Sequence, residues 1–166
     1  MSARKKRSLV EKREELIDQL YPGRRGLDAW AAFIRAHATL SREMDVRLQE
    51  SAGCSLADYD VLSQLADVGG RLRMTELAER VLVSRSGLTR RVARLEEERL
   101  VERCAADDDG RGVVVCLTDG GVKRMIETTT AHAHDVKTLF IAQLDDRELA
   151  VIASALRSVI VDCNFG

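Results

Sequence analysis

The sequence holds a single proline, Pro22, and aromatics make up only 4% of its 166 residues. Sheet-rich folds lean on β-branched and aromatic side chains, whereas Leu, Ala, Arg and Glu are plentiful here, so a mainly α-helical chain is expected. No apolar run reaches the ~18 residues that a membrane-spanning helix needs, and no signal-peptide pattern is visible, which makes the cytoplasm the expected compartment. A Gly-rich phosphate loop, H-E-x-x-H and G-x-S-x-G are all missing, and the carboxylates lie on amphipathic surfaces instead of isolated in apolar runs. Neither an enzyme nor a cofactor is expected. Charge of one sign is missing as well, since 26 Lys and Arg against 27 Asp and Glu leave a formal net charge of −1. Bulk charge therefore announces no nucleic-acid partner, and any basic surface must be local.

Cysteine is sparse. Cys54, Cys104, Cys116 and Cys163 are scattered without a C-x-x-C pair. They are expected as small buried hydrophobes in a reducing compartment, with a redox sensor as the alternative. His132 and His134 stand two residues apart in a helical pattern, which aims them at different faces, so no metal site is expected.

What is present is helical patterning interrupted once. Residues 1–20 read as a basic N-terminal arm carrying Arg4, Lys5, Lys6, Arg7, Lys12 and Arg13, or as a short extra helix over about 9–20. Tyr21-Pro22-Gly23 breaks the chain, and residues 21–166 are expected as one unit. In it, Trp30, Phe33, Ile34, His37, Leu40, Met44 and Leu48 recur at three- and four-residue steps and predict a helix over about 27–51. Ser55 and Asp58 suit the start of a second helix over about 56–68, closed by Gly69-Gly70. A short helix over about 74–81 and another from Ser84 to about Arg99, joined by a tight turn, make a helix-turn-helix. The period then changes. Leu100–Cys104 and Val113–Leu117 are β-prone runs around a polar loop, residues 105–112, and predict a hairpin. Helices over about 119–142 and 146–162 close a fold that is mainly α with a small β-hairpin wing, six or seven helices in all.

The helix from Ser84 concentrates hydrogen-bonding types on its outer side. Ser84, Arg85, Ser86, Thr89 and Arg90 occupy its first two turns, the part of a recognition helix that reaches base edges, while Leu88, Val92 and Leu95 form the inner side. Gly87 weakens a helix by about 1 kcal/mol against alanine, so either close approach to another surface or packing against the preceding helix is expected there. Taken alone, the segment also fits a solvated amphipathic helix with incidental arginines. The hairpin loop shifts the balance, because Asp109 and Arg111 two positions apart place an oriented guanidinium where a minor groove accepts it.

Taken together, Met74–Ala78, Ser84–Arg90, Arg94-Leu95-Glu96, Asp109-Gly110-Arg111 and Leu117–Gly121 resemble the MarR family of winged helix-turn-helix transcriptional regulators, and the likeness runs from about 27 to 162. The resemblance implies a homodimer held by helices 27–51 and 119–162, with residues 55–118 as the DNA-binding lobe. It implies a repressor that binds double-stranded operator DNA at a pseudo-palindromic site and releases it on binding a small effector. By position, Ser86, Thr89 and Arg90 face bases, Arg94 and Arg73 or Thr75 face phosphate, Arg111 tips the wing and Asp109 holds it. One departure is that Gly110 and Gly112 flank Arg111 and Asp107, Asp108 and Asp109 precede it, which weakens phosphate attraction through the wing. Effectors in such regulators are often phenolic, and Trp30, Arg35, His37 and Tyr59 are the candidate lining for an anionic one, with dimer or core packing as the alternative for Trp30 and His37. The family's peroxide sensors use a cysteine early in the first helix, and none precedes Cys54 here. A winged-helix protein-interaction module without DNA binding is the remaining alternative, separable by a salt-dependent gel shift.

Overall fold

The computed structural model describes residues 2–81, 83–104 and 112–162. The chain divides into two compact units, Met1–Ser41 and Arg42–Gly166. The first holds helix α1, Ser2–Leu20, and the start of α2, Arg25–Ala52. The basic arm is thus helical from Ser2 on, well before the residue 9 anticipated. It contains no glycine or proline before Pro22, and Leu, Lys, Arg and Glu are good helix formers. Pro22 cannot continue the helix, and the turn passes through Gly23 at φ 76° and Arg24 at φ 55°. The Arg24 side chain fastens this turn by donating to Asp18 at 2.6 Å and Glu14 at 2.7 Å. Along α2, Trp30 and Phe33 lie 6.1 Å apart between ring centroids, and Phe33 and His37 6.4 Å. This apolar face is open, with Trp30 60% exposed.

The second unit holds the end of α2, then α3 (Leu56–Ala66), β1 (Arg71–Arg73), α4 (Met74–Arg80), α5 (Arg85–Glu97), β2 (Val101–Cys104), β3 (Val114–Leu117), α6 (Asp119–Leu139), a 3-10 turn (Ile141–Gln143) and α7 (Asp146–Asp162). Seven α-helices therefore stand among the described residues, each within a few residues of its predicted bounds except α1. The sheet is antiparallel, with β3 between β1 and β2. β1 was not anticipated, because three residues are too short to carry an alternating pattern; it forms because β3 offers a second edge, on which Arg71, Leu72 and Arg73 pair Cys116, Val115 and Val114.

The core joins these layers. Val61, Leu62 and Leu65 of α3 meet Leu77 of α4, Leu88, Val92 and Leu95 of α5, and Leu72, Val101 and Val115 of the sheet. Each such burial contributes about 1.5–3 kcal/mol, which is what holds α5 with its other side outward. Gly121 shows how closely α6 is seated on the hairpin. A Cβ at that position would stand only 1.9 Å from the backbone oxygen of Leu100, so no side chain fits without moving the chain. Val151, Val159 and Ile160 of α7, in contrast, are mostly exposed.

The cysteines divide. Cys54 is the small buried hydrophobe expected. Cys104 and Cys116 are half-exposed and joined as a disulfide, a correction that follows from the hairpin register, which places both on one face of adjacent strands. Cys163 lies outside the described residues. No helix among the described residues is long and apolar enough to cross a membrane.

Candidate nucleic-acid interface

The start of α5 is built by Ser84, whose Oγ accepts from the Gly87 amide at 3.2 Å and lies 3.3 Å from Ser86 Oγ. Capping of this kind stabilises a helix by about 1 kcal/mol and fixes where its first turn begins. It also accounts for Gly87. A Cβ there would meet Ser84 Oγ at 3.2 Å and Val83 Cβ at 3.8 Å, so the crowding comes from the cap and turn of its own helix.

With Leu88, Val92 and Leu95 buried, the outer face of α5 presents Arg85, Ser86, Thr89 and Arg90 to solvent. Thr89 donates its hydroxyl to the Arg85 carbonyl at 3.1 Å and keeps its lone pairs for an outside donor. Arg85 and Arg90 have no side-chain partner among the described residues. Gly87, Arg90, Arg91 and Arg94 line a shallow groove of about 260 Å³. A second crevice, about 170 Å³ and lined by Met74, Thr75, Ala78, Arg85, Leu88 and Thr89, brings exposed Thr75 of α4 beside Arg85 and Thr89. Arg73 starts α4, its amide donating to the Glu76 carboxylate at 2.9 Å. Its guanidinium lies against the wing root, where a Cβ on Gly112 would come within 3.2 Å of Nη1.

Arg94, expected to face phosphate, is half-exposed and bound to Asp58 of α3, with Glu98 at 3.8 Å. Asp58 is 6% exposed. Its carboxylate also accepts from Arg91 Nη1 at 2.9 Å, and that same Nη1 donates to Ser55 Oγ at 3.1 Å. Burial pushes the Asp58 carboxyl up, but hydrogen bonds from Ser55, Arg91 and Arg94 outweigh it and hold the group below the usual carboxylate range. A buried anion thus anchors the second and third turns of α5 to the start of α3. Neither Asp58 nor Arg91 figured in this role from sequence. The only signal was an acid at the third position of a capped helix, which reads as a local cap.

The structure brings Thr75, Ser84, Arg85, Ser86, Thr89 and Arg90 together on the exposed side of the helix-turn-helix, with Arg73 at the root of the wing and Arg94 held at the edge. Asp109 and Arg111 lie outside the described residues. Of the candidate effector residues, Trp30, Arg35 and His37 are exposed on α2 within the first unit. Tyr59, in the second unit, stacks on His132 with ring centroids 4.7 Å apart and accepts from Thr129 at 3.3 Å. Burial pushes the His132 imidazole below its usual range, against the opposing pull of Asp135. An open groove of about 730 Å³ lies in the second unit, lined by Arg47, Glu50, Thr130 and His134 among others, and there Arg47 reaches buried Asp135 at 3.6 Å. Among the described residues, no group of His, Cys, Asp and Glu is placed to hold a metal ion.

Residues 52–112 match the family model described as "MarR family". Among solved structures, the chain is similar to Sco3205 from Streptomyces coelicolor, a MarR family transcriptional regulator in complex with DNA, at 32% identity over 83% of this chain and 87% of that one, with a TM-score of 0.76. AbsC from Streptomyces coelicolor, also a MarR family transcriptional regulator, shares 28% identity over 82% and 92% of the two chains, with a TM-score of 0.75. BpsR from Bordetella bronchiseptica, whose DNA binding is regulated by 6-hydroxynicotinic acid, shares the fold at 20% identity over 80% and 98%, with a TM-score of 0.70. No match is found among curated proteins.

Proposed function

The chain belongs to the MarR family of transcriptional regulators, and from that premise we propose that it is a sequence-specific DNA-binding repressor acting as a homodimer on a pseudo-palindromic operator. The observation that carries this reading is the outer face of α5. Two guanidiniums with no side-chain partner among the described residues and the hydroxyls of Ser86 and Thr89 share its first two turns, the part that a recognition helix puts into a major groove, on a chain whose net charge gives it no general attraction for DNA. Ser86, Thr89 and Arg90 read base edges, Arg85 and the Ser84 cap approach the backbone, and Thr75 and Arg73 contact phosphate from α4 and the wing root. Arg94 contributes to phosphate attraction with its exposed half, attenuated by Asp58. Arg111 reads a narrow minor groove from the wing tip, with Asp109 orienting it.

Two recognition helices one DNA turn apart require a two-fold partner, and the exposed apolar side chains of α2 and α7, among them Trp30, Phe33, Val151 and Ile160, supply surface for one. The protein works in the cytoplasm, where its operator is. An effector ends the interaction. The residues proposed for it are Trp30, Arg35 and His37 of the first unit and Tyr59 of the second, and an anionic aromatic acid or phenol suits an arginine and a histidine. The acid that regulates BpsR is of that class.

Genomic footprinting with the purified protein, joined to sedimentation at micromolar concentration, tests this reading. Expected are a dimer and protected half-sites centred about 10 base pairs apart. A monomer, or protection without sequence preference at physiological salt, would contradict it.

A further inference from the structure

The wing root carries a second functional element. Cys104 in β2 and Cys116 in β3 are diagonal neighbours on one face of the hairpin, since Cys104 lies opposite Val114 and Cys116 opposite Glu102. Their Cα atoms are 6.3 Å apart, inside the 4.4–6.8 Å span that a disulfide bridges without moving the backbone. Both cysteines are only partly buried. Cys54 offers the contrast. It is 2% exposed, and burial pushes its thiol up, which leaves it inert.

Position gives the pair its consequence. The two cysteines stand 12 positions apart, and the segment between them includes Asp109 and Arg111. Cys116 belongs to the central strand and also pairs Arg71 of β1, so a bond to Cys104 ties the outer strand β2 into the full width of the sheet. The base of the hairpin is then held by a covalent bond as well as by the few backbone hydrogen bonds of a four-residue strand.

We infer that Cys104 and Cys116 form a reversible dithiol/disulfide site, oxidised by hydrogen peroxide or a small organic peroxide, whose closure ties β2 to the central strand β3 at the base of the hairpin. One thiolate attacks the peroxide; an O–O bond breaks, an S–O bond forms, and the sulfenic acid results with release of water or alcohol. The second thiol attacks that sulfur, the S–O bond breaks as the S–S bond forms, and a second water leaves. Two electrons pass from the thiols to the peroxide, and a cellular dithiol returns them by exchange. A hairpin tied at its base has less conformational freedom to lose on meeting DNA, so the disulfide form binds operator more tightly. This last step rests on the DNA-binding reading above; the bond between the strands does not.

The test compares the full chain after treatment with hydrogen peroxide and after reduction with dithiothreitol, alongside Cys104→Ser and Cys116→Ser. Peptide mapping should find the Cys104–Cys116 bond in the peroxide-treated wild type only, and amide exchange across 101–117 should slow when it forms. Operator affinity should rise about two- to tenfold on oxidation, the range for removing one or two ordering costs, and stay flat in both serine variants. Mapping that finds no such bond, or a bond that leaves exchange unchanged, would overturn the inference. So would operator affinity that stays level or falls on oxidation. Slowed exchange with no DNA binding by either form would sink the regulator reading and leave the wing site standing.

Discussion

Replacing Asp58 by alanine removes the anion that holds α5 against α3, and the consequence is calculable from its surroundings. Breaking a fully buried pair by deleting one partner costs about 3–5 kcal/mol, because a charge is left buried and uncompensated. Here the partners are unequal. The Arg91 side chain is 26% exposed and the Arg94 side chain 50%, so Arg94 rehydrates and falls back on Glu98, an exchange near the 0–1 kcal/mol of surface pairs. Arg91 bears the loss, since its Nε is already buried without a partner. A destabilisation of about 2–3 kcal/mol results, which for a chain of this size lowers Tm by about 4–12 °C. Thermal melts at one fixed protein concentration read it, because the proposed dimer makes Tm depend on concentration. Asp58 has a folded-state pKa below its unfolded value of about 3.9, so its stabilisation is fully present above that pH and is lost as pH falls through the folded value. The wild type should therefore lose its margin over Asp58→Ala below about pH 4. A Tm change under about 1 °C, or an equal cost in the Arg91→Ala background, would refute the anchoring role.

Gly121→Ala should destabilise by more than about 3 kcal/mol or prevent folding, since its Cβ would lie 1.9 Å from a backbone oxygen that cannot rotate away; melts or soluble yield decide it. Asp109→Ala and Arg111→Ala should be non-additive in operator affinity, with Asp109→Ala nearly neutral once Arg111 is gone; losses that add would leave the wing a passive phosphate clamp. Stability linked to His132, whose folded pKa is depressed by burial, is present above its unfolded value of about 6.5 and lost as pH falls through the folded value. Melts between pH 7.5 and 5.5 should then fall more steeply for the wild type than for His132→Gln.

The helix-turn-helix was legible because its signals are local. A serine cap, Leu88, Val92 and Leu95 at helical steps, and a change to strand period after Leu100 each report on a few adjacent residues. β1 was not, because its three residues pair only on account of a strand more than 40 positions later. The link from Asp58 to Arg91 and Arg94 spans 33 and 36 positions and depends on how α3 and α5 pack, which no local pattern encodes. The cysteine pair stands between these cases. The hairpin itself was visible, but only its register brings Cys104 and Cys116 onto one face. The exposed apolar ridge of α2 shows the opposite limit, since periodicity reveals an apolar face without saying whether the same chain or another copy covers it.

The central claim is that α5 reads bases, and Arg90 is where it is most exposed to test. Binding of wild type and Arg90→Ala to the footprinted operator and to a shuffled duplex, each across a series of salt concentrations, measures it directly. Expected is a loss of about 1–3 kcal/mol on the operator, a much smaller loss on the shuffled duplex, and relaxed discrimination at one or two positions. Equal losses on both duplexes with a shallower salt slope would show that Arg90 touches only phosphate, and would contradict the account.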